Sequence, residues 1–203
     1  MTCIERNSRY WVSATVGRRD EQLFEQGVQA SWQWAEACTS VRWFSDGERR
    51  YAKQLWKLAR VYLSKQEYPK HRHRKVWREG LEVAIKVKGS QGKRRVESVK
   101  PEHPWSAISA KAEVHANHSE ALNSSIRRRC SAYRRRQNHS AKTSKGLQQA
   151  VTFQRLIHNW VRPHWSLGKH TTPAMAIGFA QRPIKMEEFL NLRGCNASPK
   201  LDK

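Results

Sequence analysis

Residues 117–136, NHSEALNSSIRRRCSAYRRR, constrain the fold of this chain more than any other stretch. At about 100° per residue, a helix over this range collects its apolar side chains on one stripe, as in a face packed on a core. That stripe holds Leu122, Ile126, Cys130 and Tyr133. An adjoining arc holds Glu120, Asn123, Arg127 and Arg134. The pattern predicts an amphipathic helix whose one acid lies at the edge of a buried seam.

Glu120 is an unexpected residue here, because six arginines occupy the ten residues from Arg127 to Arg136. Coulomb attraction would draw such an acid into ion pairs, unless it holds a cation beside a polyanion. The whole chain has 39 Lys and Arg against 17 Asp and Glu, a formal charge of +22. A surplus of this size attracts polyanions by counterion release, and nucleic acid is the commonest of them. A ribosomal or other generic basic protein is the alternative that charge alone leaves open.

Composition excludes several other classes of protein. Nine tryptophans argue against a disordered basic tail, because disordered segments are poor in aromatic residues. The four cysteines include no CxxC pair, so a structural zinc site is not expected, and scattered cysteines fit reduced thiols. No apolar run approaches membrane-spanning length, and no signal-peptide pattern follows Met1. We therefore expect a soluble, cytoplasmic protein without a membrane partner.

The chain up to residue 63 is predicted to alternate strands and helices. TCIER and the following RYWVSATVG read as the two strands of a hairpin, since turn residues separate two runs of strand-forming residues. Asp20 and Glu21 are expected to open a helix, because acids stabilise the positive end of its dipole. The helix is predicted to reach Cys38, a buried strand to span Val41 to Phe44, and a second helix to run from Glu48 to Leu63.

Beyond Pro69 the chain becomes more basic and its organisation changes. The predicted elements are a solvated run at Lys70 to Lys75, a strand at Leu81 to Gly89, a mobile loop from Gly89 to Ser106, helices at 117–136 and 145–161, and a short helix at Pro173 to Ile177 before a polar tail. These patterns predict a core portion at 1–63, a basic insert with one strand at 64–110, a helical part carrying Glu120 at 111–180, and a tail at 181–203.

Two carboxylates occupy positions that suit a metal ion. Asp46 follows a buried strand and precedes Gly47, while Glu120 lies beside the core stripe of its helix. A strand-end Asp and a helix Glu can converge on Mg²⁺ or Mn²⁺, hard cations that prefer oxygen ligands. Two such ions can clamp the attacking and leaving oxygens of a phosphoryl transfer, and nearby arginines would hold the substrate phosphates.

Each of these residues also has a simpler interpretation. Asp46 before a glycine is often only a turn residue, and Glu120 can simply stabilise the start of a helix. The arginine cluster can be a solvated binding face without chemistry. His115 and His118, spaced by three, could be ligands, and the HRHR run at 71–74 can face phosphate or solvent. Taken separately, none of these signals decides between chemistry and structure.

Four segments in order resemble the transposase family of insertion sequence one, whose members are Asp-Asp-Glu enzymes. They are IERNSRYWVSATVG from Ile4, RWFSDGERRY from Arg42, HANHSEALNSSIRRRCSAYRRR from His115, and LIHNWVRPHWSLGKHTTPAMAIG from Leu156. The resemblance implies an α/β, ribonuclease-H-like core in which Asp46 is the second catalytic acid and Glu120 the third, both binding Mg²⁺ or Mn²⁺. It implies cleavage at element ends and attack of the freed 3′-OH on target DNA. The substrate-binding residues it implies are Asn123, Arg127, Arg128, Arg134 and Arg135.

The resemblance begins at the family's second strand. Its first Asp lies on a strand upstream of the hairpin, so we expect an incomplete core that lacks the first central strand and is inactive alone. The tail shared with other transposases contains Trp160 and Trp165, which are expected to pack rather than to stack on bases.

Three hypotheses follow. The first is a transposase core that is truncated, or completed by frameshifting, associating with itself on DNA in the nucleoid. The second is a non-catalytic nucleic-acid binder that regulates the enzyme. An RNA-binding basic protein is the third, although no RNP, KH or S1-like pattern supports it.

Overall fold

The computed structural model describes residues 1–46, 48, 50–62, 75–91, 94–101, 117–133 and 141–192. The strands are β1 (Thr2–Ile4), β2 (Trp11–Ala14), β3 (Val41–Asp46), β4 (Arg60–Tyr62), β5 (Lys75–Trp77), β6 (Leu81–Gln91) and β7 (Arg94–Pro101). The helices are α1 (Glu21–Ala35), α2 (Arg50–Ala59), α3 (Asn117–Arg129), α4 (Ser144–Leu156), α5 (Pro173–Ala176) and α6 (Met186–Asn191). This mixture confirms the predicted α/β class. None of the helices in these ranges is long and apolar enough to cross a bilayer.

The predicted hairpin is confirmed. β1 pairs antiparallel with β2 from Thr2 opposite Ala14 to Ile4 opposite Trp11, with an irregularity after Cys3. The amino group of Met1 donates to the Thr15 carbonyl and prolongs the pairing. The first helix is confirmed as well, and Asp20 caps it by accepting the Leu23 N–H.

A separate sheet has the order β3-β6-β7. β3 runs parallel to β6, which requires a crossover connection, and β6 is antiparallel to β7. The predicted strand at Leu81 is therefore confirmed. The predicted mobile loop over 89–106 is wrong for 94–101, where β7 lies, and residues 102–106 lie outside the described residues. The sequence RRVESVKP has no period-two alternation, so its strand depends on the partner that β6 provides.

The second helix ends earlier than predicted. α2 stops at Ala59, and β4 then pairs antiparallel with β5, so the prediction of helix through Tyr62 is wrong. A local pattern could not show this, because the partner strand lies about a dozen residues downstream. Trp56 and Trp77 pack across this corner with ring centroids 4.7 Å apart. The segment predicted as an insert with one strand thus contains β5, β6 and β7.

The C-terminal half is helical, as predicted. On α3, Leu122 and Ile126 are buried, and Cys130 is buried just beyond it, which confirms the core stripe. α3 ends at Arg129 and a short 3₁₀ turn covers Ser131–Tyr133, so the prediction of one helix through residue 133 is wrong, and residues 134–136 lie outside the described residues. The predicted polar tail is wrong at α6, which starts where the Lys185 N–H donates to Glu188.

Three hydrophobic clusters hold these elements. The first core joins α1, α2 and β6 through Val28, Trp32, Leu55, Ala59, Leu81 and Val83. The second core joins β2, α3 and α4 through Trp11, Leu122, Ile126, Cys130 and Val151. A third core contains Tyr10, Val12 and Ala174. Since β6 supplies the first core, the segment predicted as an insert contributes directly to the interior.

The hairpin and the β3-β6-β7 sheet are not joined by strand pairing in the described part of the chain. β1 and β3 are each the edge of their own sheet, and α1 contacts both β2 and α2.

A π-turn over Ile157–Val161 continues α4 and places Asn159 inside the protein. Its Oδ1 accepts the Trp11 N–H at 2.8 Å, and its Nδ2 donates to the Trp11 carbonyl at 3.0 Å. The side-chain amide therefore pairs with β2 as a neighbouring strand would. We call this pair of bonds the Asn159 clamp.

Replacing Asn159 with Ala leaves a buried N–H and a buried carbonyl of Trp11 without these partners. We expect Asn159→Ala to lower the free energy of unfolding by about 2 to 4 kcal/mol, measured by urea denaturation. Asn191→Ala, an exposed site on α6, should change it by less than about 0.5 kcal/mol. Equal effects of the two substitutions would show that the clamp contributes nothing.

Candidate functional site

Asp46 is the last residue of β3, where the strand leaves its sheet. The side chain is exposed, and Oδ1 accepts the backbone N–H of Glu48 at 3.3 Å. This local bond is the one expected of a turn Asp, and it also limits the directions in which the carboxylate can point. An exposed, oriented carboxylate at a strand end can still bind a cation through its other oxygen.

Glu48 is a second acid at this strand end that the sequence analysis assigned only to the start of a helix. Its Oε2 lies 2.7 Å from Arg50 and 3.0 Å from Arg19, and its side chain is 16% exposed. The hydrogen bond from Arg50 is the main reason that the pKa of Glu48 falls to about 2. Because the Glu48 carboxylate is already ion-paired with Arg19 and Arg50, Asp46 is the better metal ligand of the two acids.

Tyr51 lies in the first turn of α2 and is half-buried. Burial, together with the negative charges of Asp46 and Glu48, raises the pKa of Tyr51 to about 12. The phenol therefore stays protonated at neutral pH and can donate a hydrogen bond. Its ring packs edge-on against Phe24, with centroids 5.1 Å apart, which ties this end of α2 to α1.

Glu120 lies in the first turn of α3 and is exposed. Asn123, one turn later, is half-buried, and its Oδ1 accepts the Thr2 hydroxyl at 3.2 Å. That bond attaches α3 to β1, a structural contact that helical spacing alone did not predict. Arg127 and Arg128 are exposed at the end of the helix, whereas Arg134 and Arg135 lie outside the described residues.

The two predicted metal ligands are held by different parts of the fold. Asp46 lies on β3, whose Val41 and Trp43 pack against the first core. Glu120 lies on α3, whose Leu122 and Ile126 belong to the second core. Within the described ranges, no three His, Cys, Asp or Glu side chains form a group that could hold a metal ion. Carboxylate oxygens fit Mg²⁺, which usually keeps water and substrate phosphates as its other ligands. Their convergence on one ion stays a prediction.

The two tryptophans of the C-terminal segment differ. Trp160 is half-buried against the third core, which confirms the expected packing. Trp165 is 86% exposed, so the prediction that it packs is wrong. The spacing of the two indoles along the chain does not distinguish them, because the π-turn decides which one faces inward.

The low pKa of Glu48 predicts a pH-dependent contribution to stability. A depressed carboxyl pKa stabilises the fold above the unfolded pKa near 4.5, and this is lost as the pH falls toward about 2. We expect Glu48→Gln to lower the free energy of unfolding by about 1 kcal/mol at pH 7, with no difference from the parent chain near pH 2. Chemical denaturation across this range measures it. Glu25→Gln, in a longer, exposed ion pair with Lys57, should show a smaller effect.

No protein-family model, curated protein or solved structure matches this chain. Its function therefore has to be argued from its own residues and from the resemblance that the four sequence segments carry.

Proposed function

We propose that this chain is the catalytic portion of a DNA transposase with a ribonuclease-H-like core, in which Asp46 and Glu120 bind Mg²⁺ or Mn²⁺. The observation that carries the proposal is Asp46, an exposed carboxylate oriented by the Glu48 N–H at the end of a sheet strand. Glu120 begins the basic helix α3. A formal charge of +22 favours a nucleic-acid substrate.

The chemistry is two phosphoryl transfers. In the first, water attacks a phosphorus atom at the element end, the P–O3′ bond breaks, and a 3′-OH and a 5′-phosphate are formed. In the second, that 3′-OH attacks a target phosphorus and expels a target 3′-OH. A bound metal ion would stabilise the charge that develops on the attacking and leaving oxygens.

The residues of this chain position the substrate and the metal. Asp46 and Glu120 donate oxygen ligands, and the exposed Arg127 and Arg128 lie where backbone phosphates can contact the end of α3. Asn123 keeps α3 on β1 through Thr2, so the acid one turn earlier keeps its position relative to the hairpin. In the family that the chain resembles, a further catalytic Asp on a strand upstream of the hairpin completes the metal site.

Metal binding tests the pairing of the two acids directly. If they share one ion, Asp46→Asn and Glu120→Gln should each weaken Mn²⁺ binding by about tenfold or more, and the double variant should lose little beyond either one. Water-proton relaxation of Mn²⁺ in the presence of the protein measures this. Additive small losses, or no loss in either variant, would show that the acids do not share an ion.

Cleavage then tests the reaction. The substrate is DNA carrying the chain's own coding segment with its flanks, and the protein is tested alone and extended by an added N-terminal strand that bears an Asp. We expect Mg²⁺-dependent strand breaks with the extended protein, reduced roughly a hundredfold or more by Glu120→Gln. Equal cleavage by this variant would remove Glu120 from the catalytic site.

A non-catalytic nucleic-acid binder is the second candidate, and the position of Arg127 and Arg128 at the exposed end of α3 supports it. Each phosphate contact contributes about 0.9 to the slope of log K against log salt. We expect Arg127→Ala to weaken duplex binding and to lower that slope by nearly 1, measured by fluorescence anisotropy at 50–200 mM salt without metal.

The matched control is Lys53→Ala, which removes an exposed cation on α2 rather than on α3. Its slope should change less than that of Arg127→Ala. If duplex binding by the parent chain does not depend on salt, this surface does not bind the phosphate backbone.

A further inference from the structure

Three separate segments meet at a surface whose residues the catalytic proposal does not use. They are the turn before β2, which contains Arg9; the end of α3, which contains Arg129; and the segment after the π-turn, from Arg162 to Ser166. The charge of Arg129 acts on His158, Arg162 and His164, which places Arg129 near that segment. His158 Nε2 donates to the Arg9 carbonyl at 2.9 Å, and Arg9 Nε donates to the Ser166 hydroxyl at 3.4 Å. We call Arg9, Arg129, Arg162, His164 and Trp165 the Trp165 surface.

Hydrogen bonds and ring contacts order this surface. His164 Nδ1 shares a hydrogen bond with the Ser166 hydroxyl at 3.0 Å, so Ser166 links His164 to Arg9. The rings of His158 and His164 lie 5.9 Å apart, edge to face. The main chain of His164 donates to Thr171 at 2.8 Å and closes the loop that carries Trp165. The surface is therefore held in one arrangement before any ligand arrives.

Among the residues that the structure describes, no acid is ion-paired with the cations of this surface. No described Asp or Glu forms an ion pair with Arg9, Arg129 or Arg162. Glu5 acts on Arg9 from nearby, but its carboxylate already accepts the N–H groups of Asn7 and Ser8.

The pKa values of the two histidines on this surface are lowered by the same positive charges. Burial lowers the pKa of His158 and of His164, and the charge of Arg129 lowers both further. Arg129 lowers the pKa of Arg162 as well, after burial. Like charges this close repel one another, and an external anion would relieve that repulsion.

Trp165 adds an aromatic face to the cations. It opens the 3₁₀ turn Trp165–Leu167, in which the Leu167 N–H donates to the His164 carbonyl at 2.8 Å. The indole is 86% exposed, although its base is fixed by this turn. An exposed indole on an ordered turn, in a segment that also carries Arg162 and that Ser166 joins to Arg9, is the kind of arrangement by which proteins stack an unpaired base while binding its phosphates.

We propose that the Trp165 surface binds single-stranded DNA, with backbone phosphates on Arg9, Arg129 and Arg162 and one base stacked on Trp165. The choice of DNA rests on the proposed function, whereas the preference for an unpaired strand follows from the surface itself. A base inside a duplex has both faces covered by its neighbours, so only an unpaired base can stack on the indole. Such a strand exists at a cleaved or frayed end.

Binding of a labelled 12-nucleotide single strand, in EDTA and low salt, tests this by fluorescence anisotropy. Stacking contributes about 1–3 kcal/mol per base, so Trp165→Ala should weaken binding about 5- to 150-fold, and Trp165→Phe should keep most of the affinity. The affinity for a 12-base-pair duplex should change much less on Trp165→Ala. An unchanged affinity of Trp165→Ala for the single strand would overturn the proposal.

Two matched controls separate stacking and phosphate contacts from general effects. Leu190→Ala removes an apolar side chain that is 64% exposed on α6 and should leave binding unchanged. Arg162→Gln should lower the salt slope, whereas Lys145→Gln, an exposed cation in the first turn of α4, should lower it less. If Lys145→Gln lowers the slope as much as Arg162→Gln, binding is diffuse and the assigned surface is wrong.

The ligand can be varied as well as the protein. A single strand with abasic sites should bind the parent chain as weakly as the normal strand binds Trp165→Ala. Tighter binding of RNA than of DNA with the same bases would overturn the assignment to DNA.

Failure of the catalytic proposal can be distinguished from failure of the binding proposal, because single-strand binding at the Trp165 surface needs neither a metal ion nor Asp46 and Glu120. Asp46→Asn and Glu120→Gln should bind the single strand like the parent chain. Loss of cleavage with retained Trp165-dependent binding would count only against the catalytic assignment.

Discussion

The Asn159 clamp is the interaction on which the C-terminal half depends. β2 has β1 on one side, and on the other its Trp11 backbone meets a side-chain amide in place of a strand. Buried backbone groups are costly when unpaired, so this amide allows helices rather than a strand to cover that side of the hairpin. The π-turn Ile157–Val161 contains Asn159, whose side chain is buried. The clamp thus links the second core to the Trp165 surface.

Charge is arranged in two different ways on this chain. At the end of β3, Glu48 forms ion pairs with Arg19 and Arg50, and the Asp46 carboxylate beside them is exposed and accepts the Glu48 N–H. At the Trp165 surface, arginines approach one another without such an acid among the described residues. The first arrangement suits a carboxylate that receives a cation, and the second suits a phosphate backbone. Both fit a protein that acts on nucleic acid, and they lie on different elements.

Sequence patterns predicted the helices and strands that are determined by residues close together in the sequence. The hairpin, the capped helix after Asp20 and the strand ending at Asp46 follow from turn residues, capping and β-branched runs. The core stripe of α3 follows from helical periodicity. β4 and β7 were missed because each exists through a partner strand elsewhere in the chain, and local propensity does not contain that partner. The same limit applies to the site, since Asp46 was found from its position after a strand, whereas the two arginines that occupy Glu48 were not.

The amino-acid sequence by itself determined the positive charge, the amphipathic helices and the positions of the two acids proposed as metal ligands, because these depend on composition and on spacing within one segment. Only the tertiary structure decided which tryptophan is exposed, that Asn159 pairs with Trp11, and that Arg9 lies beside Ser166 across 157 positions of chain. These outcomes depend on chain segments brought together by packing of the cores. The spacing of residues within one segment does not predict such contacts, because the free energy that forms them comes from burying surfaces that lie far apart in sequence.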